Sequence, residues 1–235
     1  MSSDDEIRRI ERAYTHYDTT PTEQAKRHPS NPGNILMRRE RERLLGAMVK
    51  QRLGAWLEMA RVLDAGCGRG DWLAWLNRLG VSAANLHGVD LLEDRIAAAR
   101  EAHPTFDFVR GNAEEFTDGA PYDLIICATV FSSILDDGMA SRLALNLTSL
   151  LAPRGAIVWY DVRYRNSRNP RTRPLTRQAI RALFPGFVLD LHAITVLPPI
   201  ARRLGWASSV MYPVLASVPA LLSHLAGLLY LPHRD

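Results

Sequence analysis

Arg61-Val-Leu-Asp-Ala-Gly-Cys-Gly-Arg-Gly-Asp-Trp-Leu-Ala-Trp-Leu76 decides the fold. An apolar run ends on Asp64, glycines follow at alternate positions (Gly66, Gly68, Gly70), and an apolar-periodic stretch begins at Asp71. A strand that enters a helix through such a loop makes a nucleotide-type pocket, because glycine lets the backbone turn sharply and leaves bare the main-chain atoms that a Cβ would shield. Spacing narrows the ligand. A dinucleotide fingerprint keeps two residues between its second and third glycines, whereas only Arg69 separates Gly68 from Gly70 here.

Three further strand ends follow in order. Leu86-His-Gly-Val-Asp-Leu-Leu92 is a short apolar strand ending in Asp90, one helix and one parallel strand after Asp64. Phe106 to Val109 leads into Gly111-Asn-Ala-Glu114, and Tyr122-Asp-Leu-Ile-Ile-Cys-Ala128 leads into Thr129-Val-Phe-Ser-Ser133. These four motifs, between about residues 55 and 162, resemble those of class I S-adenosylmethionine-dependent methyltransferases. The resemblance implies a doubly wound, mostly parallel, seven-stranded α/β sheet of Rossmann-like type, completed by a late antiparallel strand near His224 to Tyr230.

It also implies S-adenosylmethionine as cofactor. Asp64, Ala65, Gly66, Cys67, Gly68 and Gly70 would border its methionine half, with the amino group near Asp64 or the carbonyls of Gly66 and Cys127. Asp90 would take the ribose diol and Leu91 would pack on the adenine. Asn112 would accept from the exocyclic amine, and the Ala113 amide would approach a ring nitrogen. Each residue also has a structural reading. Asp64 and Asn112 can cap turns, and Cys67 and Cys127 can be small fillers, since methyl transfer needs no covalent thiol intermediate.

The acceptor side carries fewer signals. Methyltransferases acting on amide or exocyclic nitrogen commonly show Asn-Pro-Pro-aromatic after the fourth strand; Thr129-Val-Phe-Ser-Ser133 favours a hydroxyl or carboxyl oxygen instead. In Trp159-Tyr-Asp-Val-Arg163, alternation puts Asp161 and Arg163 on one side of a strand, as a general base and an anion clamp or as a structural ion pair. Tyr14, His16 and Tyr17 are candidates for a lid over the cofactor carboxylate or the substrate, with helix packing the favoured reading for Tyr14. Asp136, Asp137 and Asp161 could serve a catechol-type metal enzyme, but Asp136-Asp137-Gly138 reads equally well as a turn and helix cap, and no metal is expected. Tyr160-Asp-Val-Arg, Asn169-Pro, Leu183-Phe-Pro185 and Leu197-Pro-Pro-Ile-Ala-Arg-Arg203 look like a bacterial subgroup associated with glycan assembly, which implies a glycan or small-molecule acceptor.

With 235 residues, 47% of them hydrophobic, one substantial core is affordable, and one domain is expected over 1–235. Its parts are an N-terminal helical lid (1–54), the cofactor half (55–162) and a substrate-side and C-terminal segment (163–235). Helices are expected at 4–14, 34–53, 71–79, 93–102, 138–151 and 176–184, with a loop between the first two. Strands are expected at 61–65, 86–91, 106–110, 122–128 and 154–162, with a turn at Ala152-Pro-Arg-Gly155. A net charge of +4 (29 basic against 25 acidic residues), with basic stretches at 38–43 and 163–177 that are mixed or interrupted, does not indicate nucleic acid. RNA or protein methylation is therefore disfavoured, and the intact glycine loop with Asp90 argues against a non-catalytic scaffold.

Two cysteines, and an acidic start, Met1-Ser-Ser-Asp-Asp-Glu6, without an apolar core, lead to a cytoplasmic expectation. From Gly205 to Pro232 there is no Asp, Glu, Lys or Arg. Pro213 and Pro219 interrupt this run, so a core-packing helical insertion before the final strand, or peripheral membrane contact through 205–232, is expected over a span.

Overall fold

The computed structural model describes residues 3–119, 121–166 and 169–232. The ends of the expected domain, 1–2 and 233–235, and Ser167 and Arg168 of the interrupted basic stretch lie outside them. Strands β1 (Val62–Ala65), β2 (Leu86–Asp90), β3 (Asp107–Arg110), β4 (Tyr122–Ala128) and β5 (Leu151–Val162) pair in parallel. Strand β7 (Leu222–Tyr230) lies antiparallel between β5 and β6 (Val188–Val196), so the order is β3-β2-β1-β4-β5-β7-β6. β1 is buried at every position, as is β4 from Leu124 to Cys127. Such unbroken apolar runs are what a parallel sheet covered on both faces requires.

Three helices cover each face. α1 (Ser3–Thr19), α6 (Asp137–Ser149) and α7 (Arg177–Leu183) pack over a core in which Phe131 stacks on Trp159 and meets Phe184 edge-on. α3 (Pro32–Leu53), α4 (Asp71–Leu79) and α5 (Glu93–Ala102) cover the other face with Leu45, Val49, Trp75, Leu76 and Ile96. Their starts are read from local chemistry. The Asn31 side chain accepts from Gly33 N at 3.0 Å before Pro32 opens α3, Asp136 accepts from Met139 N at 2.8 Å for α6, and Thr176 accepts from Ala179 N at 3.2 Å for α7.

Three local expectations change. The loop between the first two helices contains α2 (Pro21–Arg27), and α1 continues to Thr19. The sequence pattern did not locate β6. β5 begins at Leu151, so the Pro-Gly stretch expected as a turn forms the bulged start of that strand, where the β4 register slips between Tyr122 and Leu124. As expected, the apolar run from Gly205 holds a helix, α9 (Ser208–Ala216), which contains Pro213, followed by the last strand, β7; a short helix, α8 (Pro198–Ala201), precedes it. Among the described residues no helix is long and apolar enough to cross a membrane. At the centre of the β6–β7 pairing, Gly227 faces Leu191, and a Cβ there would lie 1.9 Å from the Asp190 carbonyl oxygen.

Candidate active site

The glycine loop is fixed by the strand beside it. Gly66 N and Cys67 N both donate to Val89 O, at 2.8 and 3.0 Å, which folds the end of β1 over β2. Gly66 has φ 83°, and a Cβ there would come within 2.9 Å of Val130 Cγ2, so the position excludes a side chain twice over. Gly68 N donates to Asp90 Oδ2 and Leu92 N to Asp90 Oδ1, both at 2.9 Å. The carboxylate is thereby oriented, and each oxygen keeps acceptor capacity. It lies on the wall of a cavity of about 260 Å³ at the carboxyl ends of β1, β2 and β4, where doubly wound sheets bind ligands.

Gly66, Asp90, Leu91, Asn112 and Ala113 line this cavity as the motifs lead one to expect, together with apolar Met139 and Leu143 from α6. Asn112 differs in detail. Its side-chain oxygen accepts from Glu114 N at 3.1 Å, while its Nδ2 is buried without a partner, so the free group is a donor rather than the expected acceptor.

Other expected cofactor residues stand behind the wall rather than on it. Asp64 is fully buried with both oxygens unpartnered; burial, and then the charges of Asp90 and Asp71, push its pKa well above the ordinary carboxylate value. Ala65 belongs to the buried core. Gly68 spends its amide on Asp90, and Gly70 packs against Phe108, whose ring a Cβ would strike at 2.8 Å. Cys67 and Cys127 are buried, and burial raises both thiol pKa values, which suits fillers and not nucleophiles.

On the acceptor side the structure replaces several assignments. His16 lies off the cavity with Nδ1 3.3 Å from Thr20 Oγ1. Tyr17 is also off the wall; its hydroxyl meets Asn169 and its ring lies under the Arg27 guanidinium at 4.1 Å. One turn earlier, Tyr14 does line the cavity, with its hydroxyl 2.9 Å from Ser133 Oγ and the Arg95 guanidinium 4.4 Å over its ring. Arg27 and Arg95 line the cavity too, Arg95 being paired with Asp18 at 2.7 Å. Of the three lid candidates Tyr14 is thus the one on the wall, although its helical spacing with Ile7 and Ile10 favoured packing.

Asp161 and Arg163 do not reach the cavity, and they do not pair with each other. Asp161 is buried inward, where it accepts from Ser132 N at 2.9 Å and Val162 N at 2.8 Å, and burial raises its pKa to about 6. It braces the β4–α6 loop that carries Val130 and Ser133 to the cavity. Arg163 lies just past the end of β5 and donates to Leu222 O at 2.8 Å and Pro219 O at 2.7 Å, so its charge is committed to the turn before β7. Asp136 caps α6 and Asp137 pairs with Arg173. Among the described residues no three His, Cys, Asp or Glu side chains are grouped as metal ligands.

The cover over the cavity is latched. Glu6 on α1 is fully buried, accepts from Leu135 N at 2.5 Å and Asp136 N at 3.3 Å, and pairs with Arg9 at 2.7 Å, while Arg9 also donates to Ser133 O. Burial alone would raise the Glu6 pKa; Arg9 and the two amides outweigh it and hold the value below the ordinary one.

The sheet order and the cavity at its carboxyl ends are those of the class I methyltransferase fold, a Rossmann-like architecture. Residues 62–155 match the family model described as a methyltransferase domain. A malonyl-[acyl-carrier protein] O-methyltransferase of Halalkalibacterium halodurans is 27% identical over 136 residues, 54% of this chain and 48% of that protein. The chain thus spans about half the length of the curated relative it matches. Two solved structures share the fold. They are the magnesium protoporphyrin IX methyltransferase of Synechocystis with bound S-adenosylmethionine (TM-score 0.59, 16% identity, 94% of this chain and 97% of that one) and the 1,6-didemethyltoxoflavin-N1-methyltransferase of Burkholderia thailandensis (TM-score 0.61, 18% identity, 97% and 88%).

Proposed function

We propose that the protein methylates an oxygen, hydroxyl or carboxyl, of a small molecule or glycan by in-line transfer from S-adenosylmethionine, acting in the cytoplasm. The observation that carries the reading is the Asp90 carboxylate, clamped by two amides on the wall of a cavity that also presents the unpartnered Asn112 Nδ2. In this reading Asp90 accepts from both ribose hydroxyls, Asn112 Nδ2 donates to an adenine ring nitrogen beside the Ala113 amide, and Leu91, Met139 and Leu143 pack on the base. Asp64 and the carbonyls of Gly66 and Cys127 are assigned to the amino end, and Gly66 leaves the backbone bare beside the methionine half.

S-Adenosylmethionine supplies a methyl group already activated on a sulfonium, so alignment matters more than a strong base. Tyr14 and Ser133 present paired hydroxyls on the cavity wall and would orient the acceptor oxygen, while the latched α1 would exclude water. Support for oxygen comes from the loop Thr129-Val-Phe-Ser-Ser133, which lacks the Asn-Pro-Pro-aromatic pattern, and from the O-methyltransferase relative. Two buried free cysteines support a reducing compartment.

Calorimetric titration with S-adenosylmethionine, S-adenosylhomocysteine and NAD tests the cofactor half. Micromolar binding of both adenosyl ligands without NAD is expected; binding of NAD alone, or of none of the three, would overturn it. Methyl transfer from labelled S-adenosylmethionine to hydroxylated and carboxylated acceptors, read against amines, tests the oxygen preference.

A further inference from the structure

The outward surface of α9 and its flanking turns is apolar and open. Trp206 is 96% exposed, Val210 70% and Val214 58%, with Met211 and Val218 also exposed. This helix is not loosely attached. Its inner face holds buried Ser208 and Tyr212, and the Tyr212 hydroxyl donates to Glu40 at 2.6 Å and accepts from Val196 N at 3.4 Å. A short helix that is apolar on its wet side as well as its packed side is made for an apolar neighbour. No charged residue occurs from Gly205 to Pro232, yet cations stand at both ends of the patch. Arg202 and Arg203 lead into Trp206. On the other side, the bond from Arg163 to Pro219 O brings the Tyr164-Arg165 segment against the turn after α9. Arg203 and Arg165 have no carboxylate partner among the described residues.

We propose that this face docks on the surface of an anionic lipid bilayer. Trp206, Val210 and Val214 enter the boundary between headgroups and acyl chains, and Arg203 and Arg165 meet the headgroup phosphates. An apolar centre with a basic rim is the complement of such a surface, and tryptophan favours that depth. A second copy of the chain fits less well, because two-fold pairing through this patch would set its arginines against their own equivalents. Docking would also bring lipid beside the cover of the cavity. Asn31 Nδ2 donates to Arg202 O at 3.3 Å and Arg202 Nε to Asn34 Oδ1 at 2.9 Å, which ties the segment before α9 to the start of α3, just after the α2 end that places Arg27 on the cavity wall.

The test is co-sedimentation with vesicles of phosphatidylcholine mixed with phosphatidylglycerol, against phosphatidylcholine alone. The wild-type protein should sediment with the mixed vesicles, less so as salt rises. The triple variant Trp206→Ser, Val210→Ser, Val214→Ser should bind them about ten-fold more weakly, and Arg165→Glu with Arg203→Glu should lose the salt-sensitive part. Affinity for S-adenosylhomocysteine should be unchanged in both variants, which controls for folding and separates this inference from the methyl-transfer reading. The proposal is overturned if the wild type ignores mixed vesicles, if the triple variant sediments like the wild type, or if the patch instead drives a concentration-dependent dimer that the triple variant abolishes.

Discussion

Asp90 does two things with one carboxylate, and they can be separated. It closes the glycine loop through Gly68 N and Leu92 N, and its remaining acceptor capacity faces the cavity. Asp90→Ala should therefore weaken S-adenosylmethionine by about ten-fold or more and cost roughly 2–4 kcal/mol of stability, since two amides lose their acceptor; calorimetry and urea unfolding read the two effects, and unchanged affinity would remove Asp90 from the ribose site. Asp161 is a different kind of acid. Its folded pKa of about 6 lies above the 3.8 of an ordinary aspartate, so the neutral form is the better tolerated one. The stability it contributes is fully present below about pH 4 and is lost as pH rises through 6, a change of roughly 3 kcal/mol at 1.36 kcal/mol per pH unit. Asp161→Asn removes this titration, so the stability difference between variant and wild type should shift in the variant's favour between pH 4 and 7; a flat difference across that window would contradict a buried acid. Gly66, Asp90, Leu91, Asn112 and Ala113 were legible in the sequence because strand ends and glycine spacing fix them locally. Arg27 and Arg95 were not, and Tyr14 was weighed mainly as packing, because their presence at the cavity depends on how α1 and α2 fold across it. Alternation placed Asp161 and Arg163 on one side of a strand, and the expected end at 162 holds, but the pattern did not show that this side faces away from the cavity.

The element most exposed to a single change is α1, which is tied to the β4–α6 loop through Glu6. Removing one partner of a buried, hydrogen-bonded ion pair costs roughly 3–5 kcal/mol. Glu6→Ala should raise amide exchange across Ser3–Thr19 and speed release of bound cofactor, with the sheet amides still protected; protection of α1 equal to wild type would show that the latch does not hold it. Because the Glu6 pKa is lowered, the latch is at full strength above its ordinary 4.5 and weakens as pH falls through the lowered value. Two elements escaped the sequence reading for separate reasons. Thr20-Pro21-Thr22 looks like a loop, although proline at the first helical position is compatible with α2. β6 is an edge strand with a wet face, so Asp190 and His192 alternate with Leu189, Leu191 and Ala193 and break the continuous apolar run that marks the buried strands.

For the whole molecule, the join between the parallel half of the sheet and its antiparallel end is the critical seam. Gly227 sits there, and the 1.9 Å approach of a Cβ to Asp190 O leaves no room for even a methyl group. Gly227→Ala should destabilise the protein by about 3 kcal/mol or more, lowering the thermal midpoint by several degrees; a midpoint equal to wild type would mean that β6 and β7 lie further apart. The alternation of strands and helices through β5 was legible because parallel units carry their own crossover helices. The insertion of β7 between β5 and β6 was not written in any local pattern.

That insertion also governs how the protein is made. β7 is the last of the seven strands to leave the ribosome, yet it occupies an interior place. Until Leu222–Tyr230 has been synthesised, β6 has no neighbour to pair with and β5 presents Ile157 and Val158 along a bare edge. An unpaired apolar edge invites pairing with other chains. The nascent polypeptide is therefore open to aggregation in the interval between the synthesis of β6 and that of β7, when the other six strands have already been made.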